Sequence, residues 1–242
     1  MPLVGAGQPL ELNRIRLVMI IMTAVVSIFF LLAFRKPRLV PRGLQNIGEI
    51  AVDFIKVHII DASVGEKGRK YLPYLGAVFF LVLAFNISGI IPGLQVAGTS
   101  VVALPLILAF ITWAIFNYAG IQAHGLGRYL KANLFPSGLP WYMYILVAPI
   151  EAISTFVLRP VTLTIRLMGN MMAGHIALMI FFGGTSFLLL GGAGWALAPV
   201  GVLSFGMGMA FTAFELLVAF LQDYIFTLLT AIYLDGALSE AH

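Results

Sequence analysis

The chain lacks cysteine and carries few charges, and each shortage excludes a class of protein. Without cysteine there is no disulfide framework, no thiolate metal site and no cysteine nucleophile. The four histidines give little support to a zinc or haem site. Charged residues make up 10% of the 242 residues and hydrophobic ones 61%, with a mean hydropathy of +1.02. Soluble domains carry about 25% charged residues, so the composition predicts a polytopic membrane protein.

The basic residues are clustered in a way that indicates membrane topology. Of the 14 lysines and arginines, most lie between Arg35 and Lys70, directly after an apolar run and without interleaved aromatic residues. This distribution argues against nucleic acid as a partner and follows the positive-inside rule. It places the end of the first span and the C-terminus in the cytoplasm and the N-terminus outside. No cleavage site or transit peptide is recognisable, so we expect a bacterial plasma membrane.

Apolar runs of membrane-spanning length predict a single membrane domain, residues 1–242, without a separate soluble domain. Residues 44–60 alternate apolar and polar side chains at helical spacing, which favours a helix lying along the membrane surface. Three runs are long enough for ordinary spans, at residues 17–34, 71–92 and 101–121.

Two further runs, residues 139–182 and 200–234, are too long for upright spans. As a helix the first would extend over about 66 Å, against a hydrocarbon core of about 30 Å. It must therefore break into two spans or lie steeply oblique, with Pro149 and Pro160 as candidate bends. The predicted fold is all-α: an upright N-terminal span, a surface amphipathic helix, a two-helix transmembrane hairpin and two long oblique helices that form an antiparallel pair.

Ionisable side chains lie inside both long runs, where each costs about 2.5 to 3.5 kcal/mol unless it is paired or hydrated. If the runs pair about a connection near residue 194, Arg166 is level with Gln222 and His175 is level with Glu215. Arg166 and His175 point to opposite sides of their helix. We therefore expect Arg166 to face a third element and His175 to face a hydrated cavity that Glu215 also reaches.

The segments "TLTIRLMGNMMAGHIAL" and "FLQDYIFTLLTAIYL" together resemble subunit a of the F-type ATP synthase, the stationary proton-channel subunit beside a rotating ring of c subunits. "NISGIIP", "PIEAIS" and the layout of the chain extend the resemblance over most of its length. The resemblance implies a subunit that is not an enzyme on its own and binds no nucleotide, cofactor or metal. Its partners would be the c-ring, b-type peripheral-stalk subunits, the lipid bilayer and protons.

By this resemblance Arg166 matches the essential arginine of the family. A permanently charged guanidinium favours the ionised form of an arriving c-subunit carboxylate and blocks protons from passing directly between the two half-channels. Asn170 and Gln222 match the amides beside it.

The resemblance also gives His175 and Glu215 an expected role, as a relay for protons from the outer side. Further possible members of the proton path are Arg159, Glu151 and Asp223. From the residues alone, other interpretations stay open: His175 could be a satisfied core residue, and Glu215 could form a structural hydrogen bond between helices.

An ion-coupled secondary transporter is the alternative function, because it would also carry charges at mid-membrane depth. Such transporters show two related halves with interrupted helices in matching positions, whereas the two halves of this chain differ. A purely structural anchor gives no reason to keep Arg166 so deep in an apolar segment.

Overall fold

The computed structural model describes residues 2–4, 12–91, 98–135, 141–191 and 195–239, and these are predominantly helical. Residue 92, the predicted end of the second span, lies outside the described residues, as do residues 139 and 140 of the first long run. Two short strands, β1 Pro2–Val4 and β2 Leu12–Asn13, pair antiparallel. The described residues then form nine α-helices: α1 Arg14–Ala33, α2 Leu44–Ile55, α3 Asp61–Ser63, α4 Leu72–Ile90, α5 Ala103–His124, α6 Leu126–Leu134, α7 Tyr144–Ile153, α8 Arg159–Leu190 and α9 Ala198–Ser239.

Five helical segments of the described chain are long and apolar enough to cross a membrane. The described part of the chain is therefore helical apart from the short strand pair at its start, and its apolar helices support a membrane protein. Two of the five segments are far longer than a span requires, with 47 and 42 residues. The five are Arg14–Ala33, Gly65–Ile90, Ala103–His124, Tyr144–Leu190 and Ala198–Ser239.

The first long run forms one continuous helix, from Tyr144 to Leu190. A wide π-helical turn, Ser154–Leu158, joins α7 to α8, and the Arg159 N–H donates to the Ser154 carbonyl across it. Pro160 is the second residue after this turn and has no N–H for a helical bond. The chain therefore continues by widening one turn locally, and it does not divide into two separate spans here.

The helix α8 ends later than the sequence predicts, at Leu190 and not at residue 182. Gly183 and Gly184, directly after the predicted end, lie inside the helix. Gly184 packs against the Ser204 hydroxyl, which donates to the Phe181 carbonyl at 2.9 Å. A glycine in a helix interior costs about 1 kcal/mol, and at Gly184 this contact with the facing helix offsets part of that cost.

The helices α8 and α9 run antiparallel along each other. Gly174 lies against Glu215, Phe182 against Gly208 and Leu189 against Gly201. As the residue number rises along α8 it falls along α9, and the register agrees with the one expected from the sequence. Glycines at these contacts let two helix backbones approach closely.

The core that holds this pair in place is built from α4, α5, α8 and α9. Val78 and Val82 of α4 are buried in one cluster with Leu163, Leu167 and Phe226. The C-terminal half of α9 therefore lies in the protein interior. The face of α8 opposite its two core leucines remains outside this interior.

Candidate functional site

Arg166 lies on the outward face of α8. Its neighbours Leu163 and Leu167 are almost completely buried, so the orientation of the helix is fixed by the core. Arg166 itself is exposed and forms no hydrogen bond or ion pair with any residue that the structure describes. The guanidinium is therefore not neutralised by a carboxylate within the described part of its own chain. A partner outside the chain can reach it.

Glu215 lies between α9 and α8, with its carboxylate directly over Gly174. A methyl group added at Gly174 would lie only 2.5 Å from Glu215 Oε1, so the carboxylate occupies space that another residue would fill. The Glu215 side chain is 5% exposed, and neither of its oxygens has a hydrogen-bond partner among the described residues. Together with Asn170 it lines a cavity of about 180 Å³.

His175 lines a different and larger cavity of about 790 Å³, together with Arg14 of α1, Gly89 of α4 and Thr212 of α9. The expectation of one cavity shared by His175 and Glu215 is therefore wrong. The reason is the helical rotation of about 100° per residue. Glu215 packs on Gly174, so the next residue, His175, points around the helix to the other cavity.

Gln222 and Asp223 are both buried in α9. Asp223 Oδ1 accepts a hydrogen bond of 2.6 Å from Asn86 Nδ2 of α4, and the side-chain oxygen Oδ1 of Asn86 accepts one from the Thr99 hydroxyl. Asp223 Oδ2 and Gln222 Nε2 have no partner among the described residues. This buried chain of polar groups joins α4, the turn Gly98–Ser100 and α9.

Sequence reasoning missed Asn86 as the partner of Asp223 and Thr99 as the partner of Asn86. The sequence did contain a signal, because Asn86 is a polar residue inside an apolar run. An unpaired buried amide costs several kcal/mol, so Asn86 needs a partner. The partner could not be named, because 137 positions separate Asn86 from Asp223 along the chain.

Arg159 and Glu151 lie apart from these cavities. The Arg159 guanidinium lies 5.1 Å from the centre of the Tyr233 ring and 5.8 Å from that of Phe116, so it is held between α5 and α9 by cation–π contacts. Glu151 is half-buried in α7, about 20 Å along the helix from Arg166. The structure therefore brings Asn170 and Glu215 together and leaves Glu151 remote.

The described residues contain no group of three or more His, Cys, Asp or Glu side chains that could hold a metal ion. The candidate site formed by the described residues consists of one exposed arginine, two cavities along the α8–α9 pair and a set of buried amides and carboxyls. Such an arrangement can hold and pass protons.

Comparison with known proteins identifies the family. The sequence model described as "ATP synthase A chain" matches residues 16–235. The chain belongs to the ATP synthase A chain family. It is therefore a membrane subunit of the ATP synthesis and proton transport machinery, and the resemblance drawn from the two polar segments is confirmed.

Relatives within the ATP synthase A chain family match over nearly the whole chain. "ATP synthase subunit a" of Rhodococcus erythropolis is 46% identical over 237 residues, covering 98% of this chain and 86% of the relative. The subunit of the same name from Frankia alni is 42% identical over 241 residues, covering 98% and 81%. That of Hyphomonas neptunium is 41% identical over 226 residues, covering 93% and 86%.

Proposed function

We propose that the chain is the stationary subunit of a rotary F-type ATP synthase, offering two half-channels to the carboxylates of a c-ring. Arg166 is the electrostatic gate between the half-channels. His175 and Glu215 relay protons from the outer side. ATP chemistry takes place on other subunits, so the chain is not an enzyme on its own.

The observation that carries this proposal is the position of Arg166, exposed and unpaired with the described residues, on the outward face of a helix. A guanidinium stays protonated in any protein environment. In lipid, a bare charge at mid-depth is costly, so Arg166 needs a partner acid that the described chain does not supply. A neutral carboxyl carried through lipid on a moving ring would ionise on reaching it and release its proton.

The arrangement of the helices in the membrane follows from the same proposal. The helices α1, α4 and α5 cross the membrane upright, and residues 44–60 lie along the cytoplasmic surface. Ile47, Ile50 and Val57 on this surface segment are exposed, as expected for apolar side chains that contact lipid. The α7–α8 helix and α9 are strongly inclined. The N-terminus is outside and the C-terminus is in the cytoplasm of a bacterial plasma membrane.

The two cavities fit a relay in series. The cavity at His175 extends from the start of α1, at Arg14, to α8. The smaller cavity at Glu215 adjoins Asn170, which lies one helical turn from Arg166. Protons would pass from the first cavity to the second and then to the c-ring carboxylate. A b-type stalk subunit would hold the chain against the torque.

The test is proton pumping by the reconstituted complex. Arg166→Gln should abolish acidification of vesicles on ATP addition, because the gate charge is lost, while the complex still assembles. The matched control is Arg128→Gln, which removes an exposed arginine of α6 that lines neither cavity of the α8–α9 pair and should pump normally. Normal pumping by Arg166→Gln would refute the gate.

A further inference from the structure

A group of four cations lies where the chain turns from α1 into α2. Arg35, Lys36, Arg38 and Arg42 are exposed and line a cavity of about 450 Å³. Their side chains form no ion pair or hydrogen bond with the residues that the structure describes. Four like charges around one cavity repel one another, so an anion bound there would be stabilised by all of them.

The turn that carries these cations has a defined conformation. Gln45 Nε2 donates to the Arg38 carbonyl at 2.9 Å, and Gln45 Oε1 accepts from the Arg38 N–H at 3.1 Å. Gly43 has a φ of +61°, a conformation that favours glycine and brings the chain back into α2. The backbone of the cationic group is therefore held in place before any ligand binds.

An apolar cavity of about 460 Å³ adjoins the cationic one. It is lined by Phe30 of α1, Phe34 directly after α1, Ile55 of α2, and Gly76 and Phe80 of α4. Its volume lies within the range of about 300 to 1,000 Å³ typical of small-molecule sites.

Two consecutive residues line the two cavities. Ala33 lines the cationic cavity and Phe34 lines the apolar one. Both residues pack against the same glycine, Gly48. One molecule with a charged end and an apolar end can therefore occupy both cavities at once.

We propose that these paired cavities bind one anionic phospholipid, with its phosphate among the four cations and an acyl chain in the apolar cavity. Basic pockets between membrane helices on the cytoplasmic side suit anionic headgroups, and only a lipid combines that charge with a long apolar chain. A free phosphate would leave the apolar cavity empty, and a partner helix would leave the cations unpaired. Leu39, at the tip of the turn, is fully exposed, as expected for a side chain inserted among lipids. This site is separate from the proton path and goes beyond the proposed function.

The test measures lipid retained by the full chain in its purified complex, using native mass spectrometry after exchange into phosphatidylglycerol or phosphatidylcholine. One phosphatidylglycerol should remain for each copy of the chain, and phosphatidylcholine should not. The triple variant R35Q/R38Q/R42Q should lower the affinity at least about tenfold, since each cation near an anionic surface contributes. The control triple K67Q/R128Q/K131Q removes three other basic residues that do not line the cavity and should leave retention unchanged.

The apolar half of the site is tested separately with Gly76→Leu. Nothing lies within 4 Å of a side-chain atom built at Gly76, so the larger residue would occupy the cavity without displacing the helix backbone. It should weaken phosphatidylglycerol retention although all four cations remain. Gly127→Leu, at an equally open position outside the cavity, is the control.

Equal loss of phosphatidylglycerol in both triple variants would mean general attraction to the membrane and would overturn the proposal. Retention of both lipids alike by the unmodified complex would also overturn it, and this measurement does not depend on any variant assembling. A photo-crosslinker at Ala77, which lines the apolar cavity, should capture lipid. Capture of a protein subunit there would instead identify the cavity as a subunit interface.

Discussion

The contact between Gly174 and Glu215 is a single-residue determinant of the site. The position of the buried carboxylate depends on the absence of a side chain at Gly174, since a methyl group would lie 2.5 Å from Oε1. The side chain of glutamate is flexible, so the clash would move the carboxylate and not the backbone. The consequence therefore falls on proton transfer more than on stability.

We expect the Gly174→Ala variant to assemble normally and to lower ATP-driven proton pumping severalfold. A displacement of about 1 Å of the carboxylate that carries the proton is enough to slow proton transfer. The measurement is the initial rate of vesicle acidification by the reconstituted complex. Gly206→Ala is the matched control, because open space surrounds that glycine of α9. An unchanged rate for Gly174→Ala would show that the position of the Glu215 carboxylate is not critical.

At the scale of single residues, the sequence indicated which polar residues belong to the site but not everything that surrounds them. Arg166 was expected to look outward at a third element, and its side chain is exposed. The separation of His175 from Glu215 could not be predicted, because the direction of a side chain around a helix depends on how the helix is rotated in the packed structure. Neighbouring residues set that rotation, and here Leu163 and Leu167 do so by burial.

At the scale of the elements, α8 presents two distinct faces along its length. Leu163, Leu167 and Met171 are buried in the core, whereas Ile165 and Met172 are largely exposed. Exposed apolar residues beside an exposed arginine suit a contact with a partner in lipid. The proposed partner is the outer helix of a c subunit.

Single cysteines along α8 should therefore cross-link to a c subunit according to face. Because the natural chain has no cysteine, each substitution introduces one unique thiol. Cysteines at Thr162, Ile165 and Met172 should form disulfides with cysteines on a c subunit under mild oxidation, while those at Leu163 and Leu167 should not. The measurement is the yield of linked product on a gel. Comparable yields from both faces would contradict the proposed contact.

The sequence predicts the helices better than their irregularities. The length of the hydrophobic runs was enough to indicate both long helices. The positions of the polar residues within the two runs were enough to indicate their antiparallel register. The π-helical turn at Ser154–Leu158 and the continuation of α8 through Gly183 were not foreseen. Both depend on neighbours in space: Ser204 of α9, for example, packs against Gly184, the residue after Gly183.

At the scale of the whole molecule, the buried bond between Asn86 and Asp223 connects the first half of the chain to the last. The stability lost when this bond is removed depends on which buried polar group is left without a partner. Asn86→Leu leaves a buried carboxyl without its donor, a loss of about 1 to 3 kcal/mol. Asp223→Asn keeps an acceptor oxygen for the Asn86 amide and should cost less.

We therefore expect Asn86→Leu to lower the temperature at which the complex releases the chain, and Asp223→Asn to change it little. The double variant Asn86→Leu with Asp223→Leu should recover part of the loss, because it also removes the buried carboxyl, while the Thr99 hydroxyl loses its acceptor in both variants. Thermal release followed by gel filtration measures all three. A double variant less stable than Asn86→Leu alone would show that the bond is not the source of the effect.

The length of the helix Tyr144–Leu190 has a consequence for the choice of host membrane. Its 47 residues extend over about 70 Å, so it fits a hydrocarbon core of about 30 Å only when it is strongly tilted. A tilted helix meets a bilayer a few ångströms thicker or thinner by a small change in angle, whereas an upright helix must stretch or compress the surrounding lipid. The helix surface that carries Arg166 can thus stay within the hydrocarbon core as the acyl chains of the lipids lengthen or shorten with growth temperature.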